Sequence, residues 1–228
     1  QNGLTLIHQN NMGSFVGPNI VTDGLLIAID AGSGRSYSGS GTSVSNIIDD
    51  STYTLQNGLS KVSDKGGTWD YDGTDDYISG PSMSFGTLSA YTIAFWNRRD
   101  SDSKMYIGTS NNHFYWYGDN SWRYVHGGTA GEYYYPKNVT INNGDWGYYV
   151  ATYDGANVKI YRQGIYQGAK AVTGTVNIDS LTWQFGKHGS SGSYMFEGLG
   201  GDIFWYNKAL TQAEVTQNFN AQRSRFGL

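Results

Sequence analysis

The chain has 228 residues, 38% of them hydrophobic, which suffices for one sizeable core; its net charge is −4 and only 15% of its residues are charged. No Lys/Arg cluster offers a phosphate-tracking surface, and no apolar run approaches the roughly 18 residues that cross a bilayer. With no cysteine the chain has neither disulfides nor thiolate chemistry, so nucleic-acid binding, membrane insertion and cysteine catalysis are excluded as expectations.

Glycine (32 residues) and aromatics (15%) dominate the remainder, a mixture of turn and strand formers. The first 22 residues, "QNGLTLIHQNNMGSFVGPNIVT", contain no Asp, Glu, Lys or Arg but carry Leu4, Leu6, Ile7, Phe15, Val16, Ile20 and Val21. Two readings stand: an arm that lies on its own domain or on a neighbouring subunit, and a merely flexible end. The chain starts at Gln1 and shows no charged-then-apolar leader pattern.

From "GLLIAIDAG" (24–32) onward, short apolar runs alternate with turn signals. In "YTIAFWNRR" (91–99), Thr92, Ala94 and Trp96 fall on one face and Tyr91, Ile93 and Phe95 on the other. "HFYWYG" and "WRYVHGG" repeat the habit, and "WGYYVATYDGANVKIYRQGIYQGAKAV" predicts three strands joined at Asp154-Gly155 and Gln163-Gly164. "LTWQFG" and "GDIFWYNKAL" add two more strands. One helix is predicted in "TQAEVTQNFNAQ", where Thr211 and Glu214 have capping-box spacing and Val215 and Phe219 share a stripe. Many short strands, one short helix and no internal repeat predict a single all-β sandwich, jelly roll or barrel.

Four segments in series, "YDGTDDYISG" (71–80), "YTIAFWNRR", "WGYYVATYDGANVKIYRQGIYQG" (146–168) and "GDIFWYNKALTQAEV" (201–215), resemble the concanavalin-like jelly-roll superfamily in its laminin-G-like and pentraxin-like branch. The resemblance implies an antiparallel jelly-roll β-sandwich over residues 23–228, with one sheet concave and rim loops that bind glycans or calcium in many members. The ends, "GPNIVTDGLLIAIDAGSGRSYSGSGT" (17–42) and "QNFNAQRSRFGL" (217–228), resemble segments of structural proteins of tailed, particularly marine, phages. That implies a virion-surface component such as a decoration protein, head fibre or tail appendage, joined to other virion proteins through residues 1–22 and displayed in several copies.

The stretch "WDYDGTDDYISG" is dense in aspartate. In the family it is a turn entering a strand, so Asp72-Gly73 supplies turn chemistry while Asp75 and Asp76 accept backbone N–H bonds. A calcium role stands beside that reading, because hard oxygen ligands at this density suit the ion. For catalysis, a retaining glucanase needs two carboxyl groups about 5 Å apart. The three glutamates, Glu132, Glu197 and Glu214, are far apart in sequence, no Glu-x-Asp-x-Glu occurs, and Asp70/Asp72 and Asp100/Asp102 sit in turn-like sequence. Gly39-Ser40-Gly41 lacks the strand-to-helix context of a nucleophile elbow. His8, His113, His126 and His188 show no zinc-ligand spacing. The chain is therefore expected to be non-catalytic and to need no cofactor.

Against the pentraxin pattern, Asn111 and Asn112 stand at one calcium loop, while Lys187, His188 and Gly189 replace acidic ligands at the other. A laminin-G-like rim site would instead use Asp100, Asp102 or Asp119. What remains is aromatic surface: Asn111, Asn112, Tyr115, Tyr117, Trp122, Tyr124, His126 and His188 form a candidate glycan platform, with core packing and subunit contact as the competing uses of the same residues. Two functions result, a virion-surface protein displaying a lectin-like domain, or a lectin module acting by itself. Both place the protein outside the cell.

Overall fold

The computed structural model describes residues 19–101, 106–109, 113–117, 121–125, 142–179, 181–187 and 195–228. Seventeen strands and one long helix follow one another in these residues. The strands are β1 (Leu25–Ile29), β2 (Ser43–Ser45), β3 (Thr52–Gln56), β4 (Ser60–Val62), β5 (Thr68–Asp72), β6 (Tyr77–Ser82), β7 (Thr87–Leu88), β8 (Tyr91–Arg99) and β9 (Tyr106–Gly108). Then come β10 (His113–Tyr117), β11 (Ser121–Val125), β12 (Trp146–Tyr153), β13 (Asn157–Arg162), β14 (Ile165–Ala171), β15 (Val176–Asn177), β16 (Thr182–Phe185) and β17 (Glu197–Tyr206), and the chain closes with α1 (Gln212–Phe226).

Two antiparallel sheets form the sandwich. The first runs β14-β13-β12-β8-β17-β5-β4, with β1 also on β17, and the second runs β11-β10-β9-β16-β6-β3-β2. A small β7–β15 pair stands apart. Strand β17 carries two neighbours on one edge because it is long: its last residues pair with β1 and its first with β5. The hairpin turns are where the dipeptides place them. At β13–β14, Gln163 (φ 51°) and Gly164 (φ 75°) form the two-residue loop, both left-handed as such a turn demands. At β12–β13 the Asp154 carboxylate accepts the Ala156 and Asn157 amides at 3.1 and 2.7 Å.

The alternation of β8 is real, and both of its faces are buried. Tyr91, Ile93 and Phe95 enter the core between the sheets, together with Leu55, Ile78, Ile107, Trp183, Phe185 and Trp205. Ala94 and Trp96 enter a second core on the outer side of the first sheet, with Tyr148, Val150, Phe204 and the helix residues Val215 and Phe226. Trp96 stacks on Phe226 with centroids 4.1 Å apart and an 11° interplanar angle. Gly201 makes this approach possible, since a Cβ there would meet the Phe226 ring at 2.7 Å.

The capping box of α1 is formed: Thr211 Oγ1 accepts the Glu214 amide and the Glu214 carboxylate accepts the Thr211 amide. The helix continues four residues past the segment quoted for it and ends at Gly227, which is left-handed (φ 82°). Asn19 to Thr22 lie on the domain itself. Buried Asn218 accepts the Val21 amide at 2.7 Å and donates to Tyr206 Oη at 2.9 Å, and that hydroxyl donates to Val21 O at 3.0 Å. The earlier part of the uncharged arm lies outside the described residues. Among the described residues no helix is long and apolar enough to cross a membrane.

Candidate functional site

The second sheet presents two faces of opposite character. One row of paired positions, Leu55, Ile78, Phe185, Ile107, Phe114 and Tyr124, runs across it. Its first four members are buried in the inter-sheet core. The alternate row is Ser43, Thr54, Ser79, Gln184, Gly108 and His113. Here Thr54, Ser79 and Gln184 are half-exposed, and Gln184 Oε1 is a buried acceptor with no hydrogen-bond partner. Next to this row Gln56 pairs with Tyr77, and the Lys187 ammonium stands over the Tyr77 ring at 4.7 Å. No described helix covers this face, in contrast to the outer face of the first sheet. The face is therefore a run of short polar side chains with an aromatic and a cation toward one end.

The register divides the residues that sequence grouped as a platform. Strand alternation puts directly paired positions on one face. Trp122 pairs with Trp116 and Tyr124 with Phe114, so these four positions share the row of Ile107 and Phe185. Tyr115 pairs with Arg123 and Tyr117 with Ser121, on the opposite row with His113 and Gly108. Positions 115 and 117 are thus on the polar face and positions 122 and 124 on the other. Asn111, Asn112, His126 and His188 lie outside the described residues, as do Asp102 and Asp119. Asp100 accepts two hydrogen bonds from Arg98, at 2.9 and 2.8 Å, which engages both of its carboxylate oxygens.

The aspartate-rich stretch needs correction in detail. Asp70 and Asp72 belong to β5, not to a turn, and their side chains are exposed on one side of it. Asp72 starts the turn, accepting the Thr74 and Asp75 amides at 2.8 and 3.4 Å. Asp76 accepts the Asp72 amide at 3.1 Å. Asp75 was expected to accept a backbone bond as well, but Asp72 has taken the amides available, and Asp75 contributes its carbonyl, which accepts from Asn57 Nδ2 at 2.8 Å. Those amide bonds hold the Asp72 carboxyl below its ordinary range. Burial, joined by the charges of Asp72, Asp75 and Asp70, raises Asp76 to about 6.

That raised carboxyl next to a second one is what an acid–nucleophile pair requires, yet the geometry denies it. Asp76 is only 4% exposed and its unpartnered Oδ1 is buried, so it cannot reach a glycosidic oxygen. Of the glutamates, Glu214 is committed to the helix cap and to Lys208 at 2.7 Å. Glu197 starts β17 while Glu214 follows its far end, which separates them by about 30 Å at strand rise. Glu132 lies outside the described residues.

The model of the concanavalin A-like lectin/glucanases superfamily matches residues 72–216, well over half of the chain. Among solved structures, domain 4 of AbnA, a GH43 extracellular arabinanase from Geobacillus stearothermophilus seen with arabinotriose, matches with a TM-score of 0.66 at 15% identity, over 86% of this chain and 98% of that one. A sialidase from Trypanosoma rangeli gives 0.66 at 12% identity, over 93% of this chain, which spans 37% of the sialidase. A heptameric SAP-like pentraxin from Limulus polyphemus gives 0.53 at 17% identity, over 64% of this chain and 78% of that one. Identities this low speak to the fold. Among curated protein sequences none matches significantly.

Proposed function

The chain belongs to the concanavalin A-like lectin/glucanase superfamily, and from that premise we propose that it is a non-catalytic carbohydrate-binding domain taking an oligosaccharide along the open face of its second sheet. The observation that carries this reading is that face: half-exposed Thr54, Ser79 and Gln184 in one row, with Tyr77 beside them. Short polar side chains leave a sugar room to lie flat, and the amide and hydroxyls exchange hydrogen bonds with its hydroxyls. Tyrosine supplies an apolar ring with a polar tip. The fold shared with an arabinanase domain seen with arabinotriose supports a binding domain.

A second, finer reading concerns display. The two segments that resemble phage structural proteins, 17–42 and 217–228, contribute Val21, Leu25, Ala28 and Phe226 to one outer-face core. We read the domain as held on a virion surface by what precedes residue 19. Deleting residues 1–18, which spares the Val21–Asn218 bonds, then abolishes particle association and leaves the domain folded.

A glycan array with the purified chain, run in calcium and in chelator, tests the binding reading. Binding is expected, with Gln184→Ala and Tyr77→Ala each weakening it by about tenfold, the worth of a hydrogen bond of ~1.4 kcal/mol. No binding on any glycan, or binding untouched by both substitutions, overturns it.

A further inference from the structure

We propose that Asp72, Asp75 and Asp76 form a binding site for a hard divalent cation of the calcium class, seated where two chain crossings between the sheets run side by side. The strand β5 belongs to the first sheet and β6 to the second, so the Asp72–Asp76 turn crosses the rim of the sandwich. The Asn57-Gly58 turn crosses it in the other direction, from β3 to β4. The two crossings touch, through the hydrogen bond from Asn57 Nδ2 to Asp75 O.

Three observations converge there. Carboxylate oxygens of Asp72, Asp75 and Asp76 all lie within 4.8 Å of one another. Two of the three, Asp72 and Asp76, line a recess of about 260 Å³ together with Asn57, Gly58, Ser60 and Asp70, roomy enough for an ion and several waters. Asp76 is 4% exposed, and its Oδ1 is buried with no donor at all. That last fact separates the site from an ordinary acidic turn, whose carboxylates are solvated or capped. The side-chain position of Gly58 lies 3.8 Å from this oxygen and meets no other atom within 4 Å, which leaves space on the recess side.

Among the described residues no lysine or arginine makes an ion pair with the clustered carboxylates, although the Arg98 guanidinium acts on Asp70 from a distance. Neither Asp70, Asp72, Asp75 nor Asp76 has a lysine or arginine at ion-pair distance; Arg98 is held by Asp100 and Asp64, and Lys187 by the Tyr77 ring. A buried, partnerless carboxylate oxygen beside two further carboxylates is costly unless a cation offsets it. An all-oxygen donor set without histidine or thiolate selects calcium over zinc. The irregular spacing, with Asp70 at hand in the lining, suits the flexible shell of calcium better than the strict octahedron of magnesium. Bound there, the ion would tie the two crossings together.

The test uses the full chain after chelator treatment, with Tb³⁺ as the probe and the neighbouring Tyr77 and Tyr71 as sensitisers. Saturable luminescence with one ion per chain is expected, displaced by Ca²⁺ at lower concentration than by Mg²⁺, together with a rise in Tm on adding Ca²⁺. Asp75→Asn is the clean variant, because its side chain is exposed and makes no hydrogen bond; it should weaken binding by about tenfold while leaving the chelated Tm unchanged. Asp76→Asn should abolish the signal. Absence of sensitised luminescence, or binding that both variants leave intact, overturns the proposal, the second result locating the ion elsewhere on the chain.

Discussion

Removing the Arg225 guanidinium should cost more stability than any other single polar change on the helix. Arg225 donates from Nη1 to Asp202 at 2.6 Å, from Nη2 to Asp30 at 2.9 Å and to Gly67 O at 2.7 Å, and from Nε to Lys65 O at 2.7 Å. Its side chain is 15% exposed and that of Asp202 is 3% exposed. Arg225→Met keeps most of the stem volume and leaves two carboxylates facing each other in a buried place. Breaking a buried pair from one side costs about 3–5 kcal/mol. With a urea dependence of about 2–3 kcal/mol per M for a chain of this size, the unfolding midpoint should fall by about 1–2 M.

The loss should also depend on pH, with a definite sign. Burial pushes the Asp202 carboxyl well above the usual range, the Asp30 charge pushes it further, and Arg225 opposes both. Without Arg225 the folded-state value rises again. A carboxyl raised on folding contributes fully below its unfolded value, near 3.8, and loses that contribution as pH rises through the folded value. The penalty of Arg225→Met is therefore larger at pH 8 than at pH 5. Urea unfolding followed by tryptophan fluorescence at both pH values is the assay, and Asp202→Asn in the same background should recover part of the loss. A penalty under about 1 kcal/mol at pH 8, or an equal one at both, would refute the reasoning.

Two further substitutions read the same layer. Gly201→Ala puts a Cβ 2.7 Å from the Phe226 ring and 2.8 Å from Trp96 Cβ, so the helix must lift, at about 1–3 kcal/mol in thermal or urea unfolding. Burial raises the Glu214 carboxyl but is outweighed by Lys208 and the Thr211 bonds, which hold it below its ordinary 4.5. Its contribution is present above that value and lost as pH falls through the lower folded one. Glu214→Gln should then cost about 0.5–1 kcal/mol at pH 7 and almost nothing at pH 3.

Much of this architecture is legible in the sequence because local rules decide it. The period of two in Tyr91–Arg99, the left-handed dipeptide Gln163-Gly164 and the Thr211–Glu214 box each fix a local geometry whatever surrounds them. The end of the helix is not legible in that way. Asn218, Gln222 and Arg225 are polar, so no apolar stripe announces the face they form. They turn inward because the sheet offers Tyr206 Oη, the Trp96 indole N–H and Asp202 as partners. The pairing of Trp122 with Trp116 is likewise hidden, since alternation assigns faces within one strand and leaves the register between strands open. The density of aspartates between 70 and 76 is plain in the sequence. That Asp76 alone of the three clustered carboxylates is buried is not, because its burial follows from the β3–β4 turn packing beside it.

The unequal treatment of the two outer faces limits where a ligand can act. The first sheet is closed by α1 and by Asn19–Thr22, through stacked rings and through buried polar networks that no sugar could displace cheaply. No described helix covers the outer face of the second sheet, and the acidic rim meets it at one end, because Asp76 is followed directly by Tyr77 at the head of β6. A cation held by Asp72, Asp75 and Asp76 would brace that end without lying in the row of Thr54, Ser79 and Gln184. Chelation and Asp75→Asn should therefore change Tm or ion binding while altering glycan affinity only through Tyr77, whereas Gln184→Ala should weaken glycan binding with ion affinity unchanged. If instead chelation and Gln184→Ala weakened both equally, the face and the recess would be one site, and the division of labour drawn from the strand register would fail.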